Sequence, residues 1–178
     1  MPVGLRKMKK PKNNEYAPFY QGYVEAVPEE DLLSFLKNQK VQLLSLFRDL
    51  SKEDLDYAYA KGKWTVGQVL GHIIDVERVM SYRALCISRG DRQSLPGFDQ
   101  DEYVETGKFM NREIASFKME FEGLRLSNIA LFESFSDAEF DKRGIASGVI
   151  FSVRALIFIT AGHVQHHLNI LSAKYNIR

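Results

Sequence analysis

Cysteine is almost absent from this chain of 178 residues, and so is any excess of charge. Cys86 is the only cysteine, so no disulfide can form within the chain, which is typical of a protein from a reducing compartment. The formal net charge is +1, whereas a protein that binds nucleic acid normally carries a large basic excess. These two absences favour an intracellular protein without a nucleic-acid partner.

Long apolar runs are also missing. No apolar segment follows the basic start LRKMKKPK, so the sequence predicts no signal peptide. The most apolar stretch, residues 148–164, carries Arg154 near its middle and is too short to span a membrane. We therefore expect a soluble cytoplasmic protein with no membrane partner.

Strand-like alternation, internal repeats and interdomain linkers are absent as well, and helical periodicity dominates. The length fits a single domain over residues 1–178, in which residues 1–14 form a flexible basic tail. The segment GIASG at residues 144–148 does not match the GxSxG nucleophile elbow, so no serine nucleophile is predicted there.

What the sequence does contain is four amphipathic stretches with apolar residues at intervals of three and four. The second opens with the capping-box pair Thr65 and Gln68, and SDAEF ahead of the fourth predicts a capped turn. The predicted helices run from Glu29 to Leu50, from Thr65 to about Ser88, from about Asn111 to Phe135, and from Ser152 to about Tyr175.

The lengths of the connections predict the fold. About twenty residues join the second helix to the third, enough to cross a whole bundle, whereas the shorter connections favour antiparallel neighbours. We therefore predict an all-α four-helix bundle with up-down-down-up topology, in which the second helix is antiparallel to the fourth.

Three of the four histidines lie in AGHVQHHLNIL, residues 161–171. His163 and His167 are four residues apart, so they project from the same inward face of the fourth helix. His72 lies on the core face of the second helix, and an antiparallel arrangement brings it to a similar depth. Three neutral imidazoles with an open position form a common catalytic metal site.

Two alternatives remain open from spacing alone. Buried histidines often form hydrogen bonds within a core, and an HxxxH pair is a weak motif. His166, three residues from His163, could also supply a ligand, although it lies off the inward face.

Imidazole suits zinc, nickel, iron and manganese, so the ligands do not identify the ion. The candidate site is thus a divalent-metal centre formed by His72, His163 and His167.

These segments together resemble the DinB/YfiT-like superfamily of bacterial four-helix-bundle proteins. The likeness extends from about Glu15 to Leu171 and rests on EYAPFYQGYV, GKWTVGQVLGHIIDVERVMSYRAL, LPGFDQDEYV and GHVQHHLNIL. The Trp-Thr start of the second helix, the histidine that follows it and the GHxxHH segment are specific in combination. The resemblance implies the same bundle topology and a divalent metal held by residues that correspond to His72, His163 and His167.

Relatives in this superfamily include thiol-dependent S-transferases and isomerases, and others are named as metal-dependent hydrolases. The resemblance therefore implies a small-molecule substrate, a metal-activated thiol or water, and a homodimer, with a low-molecular-weight thiol as a second cofactor if the reaction is S-transfer. The alternative is a non-catalytic, stress-related protein that binds a metal or ligand, since the sequence identifies no general base and no catalytic residue.

Other residues carry weaker expectations. Arg83 lies on the same face as His72, and we expect it to pair with an acid, with capture of an anionic substrate or cofactor carboxylate as the alternative. Asp75 is a candidate contact for a ligand histidine, and capping or solvent exposure explains it equally well. The acids of FDQDE are expected in a solvated loop, with an approach to the metal as the alternative. The tyrosines expected to pack over the bundle from the N-terminal segment are Tyr16, Tyr20 and Tyr23.

Overall fold

The computed structural model describes residues 8–28 and 31–177. In this part of the chain four long helices form a bundle, and short helices and one hairpin connect them. The helices are α1 (Gln21–Glu25), α2 (Leu32–Asp49), α3 (Lys52–Asp56), α4 (Val66–Ser88), α5 (Gln100–Thr106), α6 (Ile114–Glu133), α7 (Asp137–Phe140) and α8 (Val153–Tyr175). The strands β1 (Arg143–Ala146) and β2 (Val149–Ser152) precede α8, and 3₁₀ turns cover Pro18–Tyr20 and Phe109–Asn111.

Side-chain caps set the beginnings of several helices where the sequence predicts them. Thr65 Oγ1 accepts from the Gln68 amide at 3.2 Å, and Gln68 Oε1 accepts from the Thr65 amide at 2.8 Å. Ser136 and Glu139 form the same reciprocal box at SDAEF. Ser152 Oγ accepts from the Ala155 amide at the start of α8. Such caps satisfy amide groups that have no partner within the helix.

Two predicted beginnings differ from the observed ones. The first long helix begins at Leu32 behind an Asp31 cap, and its predicted start at Glu29 lies outside the described residues. The third begins at Ile114, because the segment around Asn111 forms a 3₁₀ turn instead of the first helical turn.

Contacts at both ends of α4 show that it is antiparallel to α8. The Tyr175 hydroxyl at the end of α8 donates to the carbonyl of Trp64 just before α4, at 2.6 Å. At the other end, Lys142 Nζ, shortly before the hairpin, donates to the carbonyl of Ser88, where α4 ends. The predicted antiparallel pair of the second and fourth long helices is therefore confirmed.

The two helices joined by the crossover are parallel. Arg78 of α4 pairs with Glu120 of α6 at 2.6 Å, and Arg89 at the end of α4 pairs with Glu139 after α6 at 2.9 Å. Both members of the second pair lie further along the chain, so α4 and α6 run in the same direction.

The remaining long helix, α2, is antiparallel to α6. Lys37 near its start pairs with Glu133 at the end of α6, and Phe47 near its end contacts Phe121 near the start of α6. The four long helices therefore have the up-down-down-up arrangement that the sequence predicts.

Besides the predicted helices, the described residues contain one small two-stranded sheet that the sequence analysis did not include. β1 and β2 form an antiparallel hairpin whose two-residue turn, Ser147 and Gly148, has positive φ at both positions. Such a turn matches the twist of the flanking strands, but each strand is too short to show a clear alternation in sequence. The hairpin also forms a parallel bridge from Ala146 to Leu95 in the crossover.

The crossover is more ordered than a solvated loop. Asp99 accepts from the amides of Asp101 and Glu102 and so caps the short helix α5. One of the FDQDE acids, Asp99, therefore caps a helix, which the prediction of a solvated loop did not anticipate.

The N-terminal segment packs on the bundle. Met8 contacts the main hydrophobic cluster and Pro11 is buried, so residues 8–14 do not extend away as the predicted tail. The first half of that predicted tail, residues 1–7, lies outside the described residues. Across residues 8–28 and 31–177, no helix combines the length and apolar character needed to cross a bilayer.

Candidate metal centre

Two helices place the histidines that the sequence singles out. His72 lies two turns into α4, and His163 and His167 occupy one face of α8. Gly71 lets the Phe109 ring pack tightly against α4, because a Cβ there would lie 2.4 Å from that ring. This contact fixes the crossover beside His72.

The three side chains converge. His163 Nε2 lies 3.0 Å from His72 Nε2 and 3.1 Å from His167 Nε2. One ring nitrogen from each residue lies within 4.8 Å of the other two, and all three residues are buried. Within the described residues this is the only cluster of its kind formed by histidine, cysteine or acidic side chains.

Burial keeps these imidazoles neutral. It lowers the pKa of His72 to about 4, with a smaller contribution from the charge of His166. It lowers the pKa of His167 to about 3, with smaller contributions from the charges of His72 and His166. The pKa of His163 also falls well below its usual value, because the ring is buried and faces His167 and His72. A neutral imidazole carries the lone pair that a metal ligand requires.

The spacing of the nitrogens fits a shared ion. Two nitrogens that each lie about 2.1 Å from one ion are separated by about 3.0 Å at a right angle and about 3.4 Å at a tetrahedral angle. The observed 3.0 and 3.1 Å, which join His163 to His72 and to His167, fall within this range, and the ligand atoms of the three residues all lie within 4.8 Å of one another. The buried Nδ1 of His167 forms no hydrogen bond with any of the described residues.

The fourth histidine lies outside the cluster. His166 is exposed, and its ring centroid lies 5.1 Å from that of His167 and 5.3 Å from that of Tyr23. The sequence prediction that His163 and His167 share the inward face while His166 lies off it agrees with these positions.

Two cavities reach the cluster from different sides. The His163 cavity, of about 260 Å³, is also lined by Tyr20, Tyr23, Phe98, Gln100 and Ser147. The His167 cavity, of about 290 Å³, is also lined by Tyr59, Lys63, Trp64, Asp101 and Tyr175. The first turn of α5 contributes one residue to each cavity, so the crossover helix lies between the two openings.

Aromatic rings cover the histidines. Trp64 lies 4.8 Å from His72 and Tyr23 lies 5.5 Å from His163, centroid to centroid. Tyr20 stands 5.3 Å from Phe151 and also lines the His163 cavity. The N-terminal tyrosines thus pack over the bundle as expected, and two of them also form the wall of the candidate site.

Arg83 and Asp75 differ from their predicted roles. Arg83 is buried, but no acid lies within ion-pair distance of it among the described residues, so the expected pairing was wrong. Asp75 lies on the side of α4 that faces α6, where burial and the nearby Glu120 raise its pKa. It makes no hydrogen bond to a histidine in the described part of the chain.

The sequence analysis did not predict a buried polar network around Arg125 and Glu77. Arg125 donates to both carboxylate oxygens of Glu77, at 2.7 and 2.6 Å, and also to the Leu36 carbonyl and to Gln39. Asn128 donates to Glu77 at 3.1 Å. The one signal for this network is the interruption of the apolar spacing at Asn128, three residues after Arg125.

Comparisons with known proteins agree with this geometry. The family model of the DinB superfamily matches residues 36–171. The chain belongs to the DinB superfamily. Among curated proteins, a "Putative metal-dependent hydrolase" of Geobacillus thermodenitrificans is 27% identical over 66% of this chain and 67% of its own. One of the same description from Oceanobacillus iheyensis is 29% identical over 78% of this chain and 77% of its own.

Two solved structures share the DinB fold. YfiT from Bacillus subtilis, described as a probable metal-dependent hydrolase with an unusual four-helix bundle topology, superposes with a TM-score of 0.70. It is 18% identical, and the match covers 86% of this chain and 93% of YfiT. A mycothiol-dependent maleylpyruvate isomerase gives a TM-score of 0.66 at 10% identity, over 87% of this chain and 66% of that one.

Proposed function

We propose that this chain is a metal-dependent hydrolase of a small molecule, and that His72, His163 and His167 hold its ion. The observation that carries the proposal is the convergence of three buried, neutral imidazoles at 3.0 and 3.1 Å. The names of the curated relatives support the same reaction class. A divalent ion in such a donor set acts as a Lewis acid and lowers the pKa of a bound water or thiol.

The protein's own side chains prepare the site. The packed bundle keeps the imidazoles neutral, so their nitrogens are free to bind without first losing a proton. Trp64 and Tyr23 cover two of the rings and limit the access of bulk water. Asp101 provides the carboxylate of the His167 cavity, and we assign it the role of proton acceptor during attack on the substrate.

Thiol transfer is the second candidate, and a specific feature favours it. A reaction between two organic molecules needs room for both, and separate cavities of about 260 and 290 Å³ reach the cluster at His163 and at His167. A hydrolase needs only one substrate besides water. The low-molecular-weight thiol and the homodimer expected from the sequence remain predictions, together with the identity of the ion.

Metal binding can be measured through the single tryptophan. Trp64 lies 4.8 Å from His72, so a paramagnetic ion in the site should quench its fluorescence. We expect Co²⁺ added to metal-free, tag-free protein to quench this signal with saturation at one ion per chain. His163→Ala and His167→Ala should abolish the saturable quenching, whereas His166→Ala, a matched change on the exposed side of α8, should retain it.

The reaction class needs a separate assay. Metal-loaded protein is tested against ester and amide substrates, and against electrophiles with and without a small thiol. Turnover that requires the thiol favours S-transfer, and turnover without it favours hydrolysis. Asp101→Asn should lower turnover while the Trp64 titration stays unchanged. Activity that survives His163→Ala/His167→Ala would disprove the proposed chemistry.

A further inference from the structure

Arg83 is a buried cation that has no counter-ion among the described residues. Only 1% of the residue is exposed, and its Nη2 donates to two uncharged acceptors, the Pro96 carbonyl and Ser147 Oγ, both at 2.8 Å. Nη1 lies 3.8 Å from the sulfur of Met80, and the neutral Tyr20 hydroxyl also faces the guanidinium. Arg125 is also fully buried, but it has a counter-ion, because both oxygens of the Glu77 carboxylate bind it. An isolated buried charge is unfavourable unless something of opposite charge accompanies it.

The guanidinium lies in a wall between two cavities. Ser147, which accepts one of its hydrogen bonds, and Phe98, whose ring centroid lies 5.8 Å from it, both line the His163 cavity. Tyr20 lines the same cavity, and its hydroxyl is close enough to affect the pKa of Arg83. Arg83 itself lines a neighbouring, largely apolar cavity of about 440 Å³ with Leu95, Pro96, Gly97 and Tyr103.

The hairpin and the crossover hold this arrangement in place. The Leu95 amide donates to the Ile145 carbonyl at 2.9 Å, and the Ser147 amide donates to the Leu95 carbonyl at 3.1 Å. Ser147 has φ of 51°, a left-handed conformation that the tight turn requires. Both acceptors of the guanidinium belong to exposed residues, so water can satisfy them if an anion takes their place.

We propose that Arg83, whose partners Ser147 and Phe98 line the His163 cavity, is a carboxylate-binding subsite beside that cavity, and that a carboxylate of the ligand supplies the opposite charge. This inference rests on the proposed function, because the other end of the same ligand lies at the histidine cluster. Arg83 follows His72 by eleven residues, a rise of about 16 Å along α4. The ligand is therefore an elongated carboxylic acid, or a thiol that carries a carboxylate far from its sulfur.

The subsite can be tested without metal, which separates it from the proposed function. Octanoate and the uncharged octanamide are titrated calorimetrically into metal-free protein. We expect octanoate to bind at least tenfold more weakly to Arg83→Gln than to the natural chain, because a charge-assisted pair is lost. Arg89→Gln, an exposed arginine at the end of the same helix, should leave its affinity unchanged, and octanamide should not distinguish Arg83→Gln from the natural chain.

Stability measurements make a folding defect visible. Arg83→Lys keeps the charge and should retain most of the octanoate affinity, whereas Arg83→Met should fold with an unchanged or raised melting temperature, because it removes an unpaired buried charge. Equal octanoate affinity in Arg83→Gln and the natural chain, no binding to the natural chain, or a large drop in the melting temperature of Arg83→Met would overturn the proposal.

A third arm identifies where the carboxylate comes from. Co²⁺-loaded protein is titrated with 12-mercaptododecanoate, which is long enough to span the distance from His72 to Arg83, and with dodecanoate, and thiolate binding is followed by its charge-transfer absorption. Tighter binding of the mercapto acid assigns the carboxylate to a thiol, and equal binding assigns it to a substrate without one; both results support the subsite. If His163→Ala/His167→Ala binds octanoate normally but not Co²⁺, the carboxylate subsite stands on its own.

Discussion

Gly162, the residue before the first histidine of α8, allows the N-terminal segment to close over the candidate site. A Cβ at this position would lie 1.9 Å from the carbonyl oxygen of Tyr23 and 2.4 Å from its carbonyl carbon. These are backbone atoms, so no change of rotamer relieves the contact. Gly162→Ala must therefore displace α1 from α8.

The size of the effect follows from these distances. The Tyr23 carbonyl would have to move by about 1.1 Å to reach the shortest ordinary separation of 3.0 Å. Overpacking of this kind typically costs about 1–3 kcal/mol, and alanine recovers about 1 kcal/mol of helix propensity. We expect a net destabilisation of up to about 2 kcal/mol, together with movement of the Tyr23 ring away from His163.

Gly123 provides the matched control. It also lies inside a long helix, α6, but no atom lies within 4 Å of a Cβ at that position. Gly123→Ala should therefore stabilise the protein by about 0.5–1 kcal/mol through helix propensity alone. Urea unfolding of both variants measures the contrast. Destabilisation in both, or stabilisation in both, would refute the argument from close approach.

Two further predictions concern stability. Glu77→Ala should lower the free energy of unfolding by about 3–5 kcal/mol, because it leaves Arg125 buried and unpaired. The double variant Glu77→Ala/Arg125→Met should recover most of that loss. A double variant whose urea midpoint is no higher than that of Glu77→Ala would contradict this. Metal-free protein should lose stability as the pH falls from about 6.5 toward 4, because unfolded histidines take up protons before folded His72 and His167, whose pKa values are lowered to about 4 and 3. Urea midpoints at pH 7 and 5 with a chelator present check the slope, and equal midpoints would contradict it.

Local patterns predicted the parts of the fold that local physics controls. The Thr65–Gln68 box opens α4 because both partners lie within one turn of each other. The inward position of His163 and His167 follows from helix geometry alone, and their meeting with His72 follows once α4 and α8 are antiparallel.

The features that sequence analysis missed depend on contacts between distant segments. The short hairpin is stabilised partly by its bridge to Leu95, about fifty residues away in sequence, a separation that no local pattern reveals. Arg83 was expected to find an acid because buried arginines usually do, yet its acceptors are a carbonyl of the crossover and a hydroxyl of the hairpin turn. The sequence also does not reveal the close approach at Gly162, because the partner is the backbone of α1.

The most direct test of the central proposal is an anomalous-scattering map from crystals of metal-loaded protein. We predict one peak per chain at about 2.0–2.2 Å from a ring nitrogen of each of His72, His163 and His167. A peak bound by His166 in place of His167, or a fully loaded crystal with no peak at the cluster, would contradict the account.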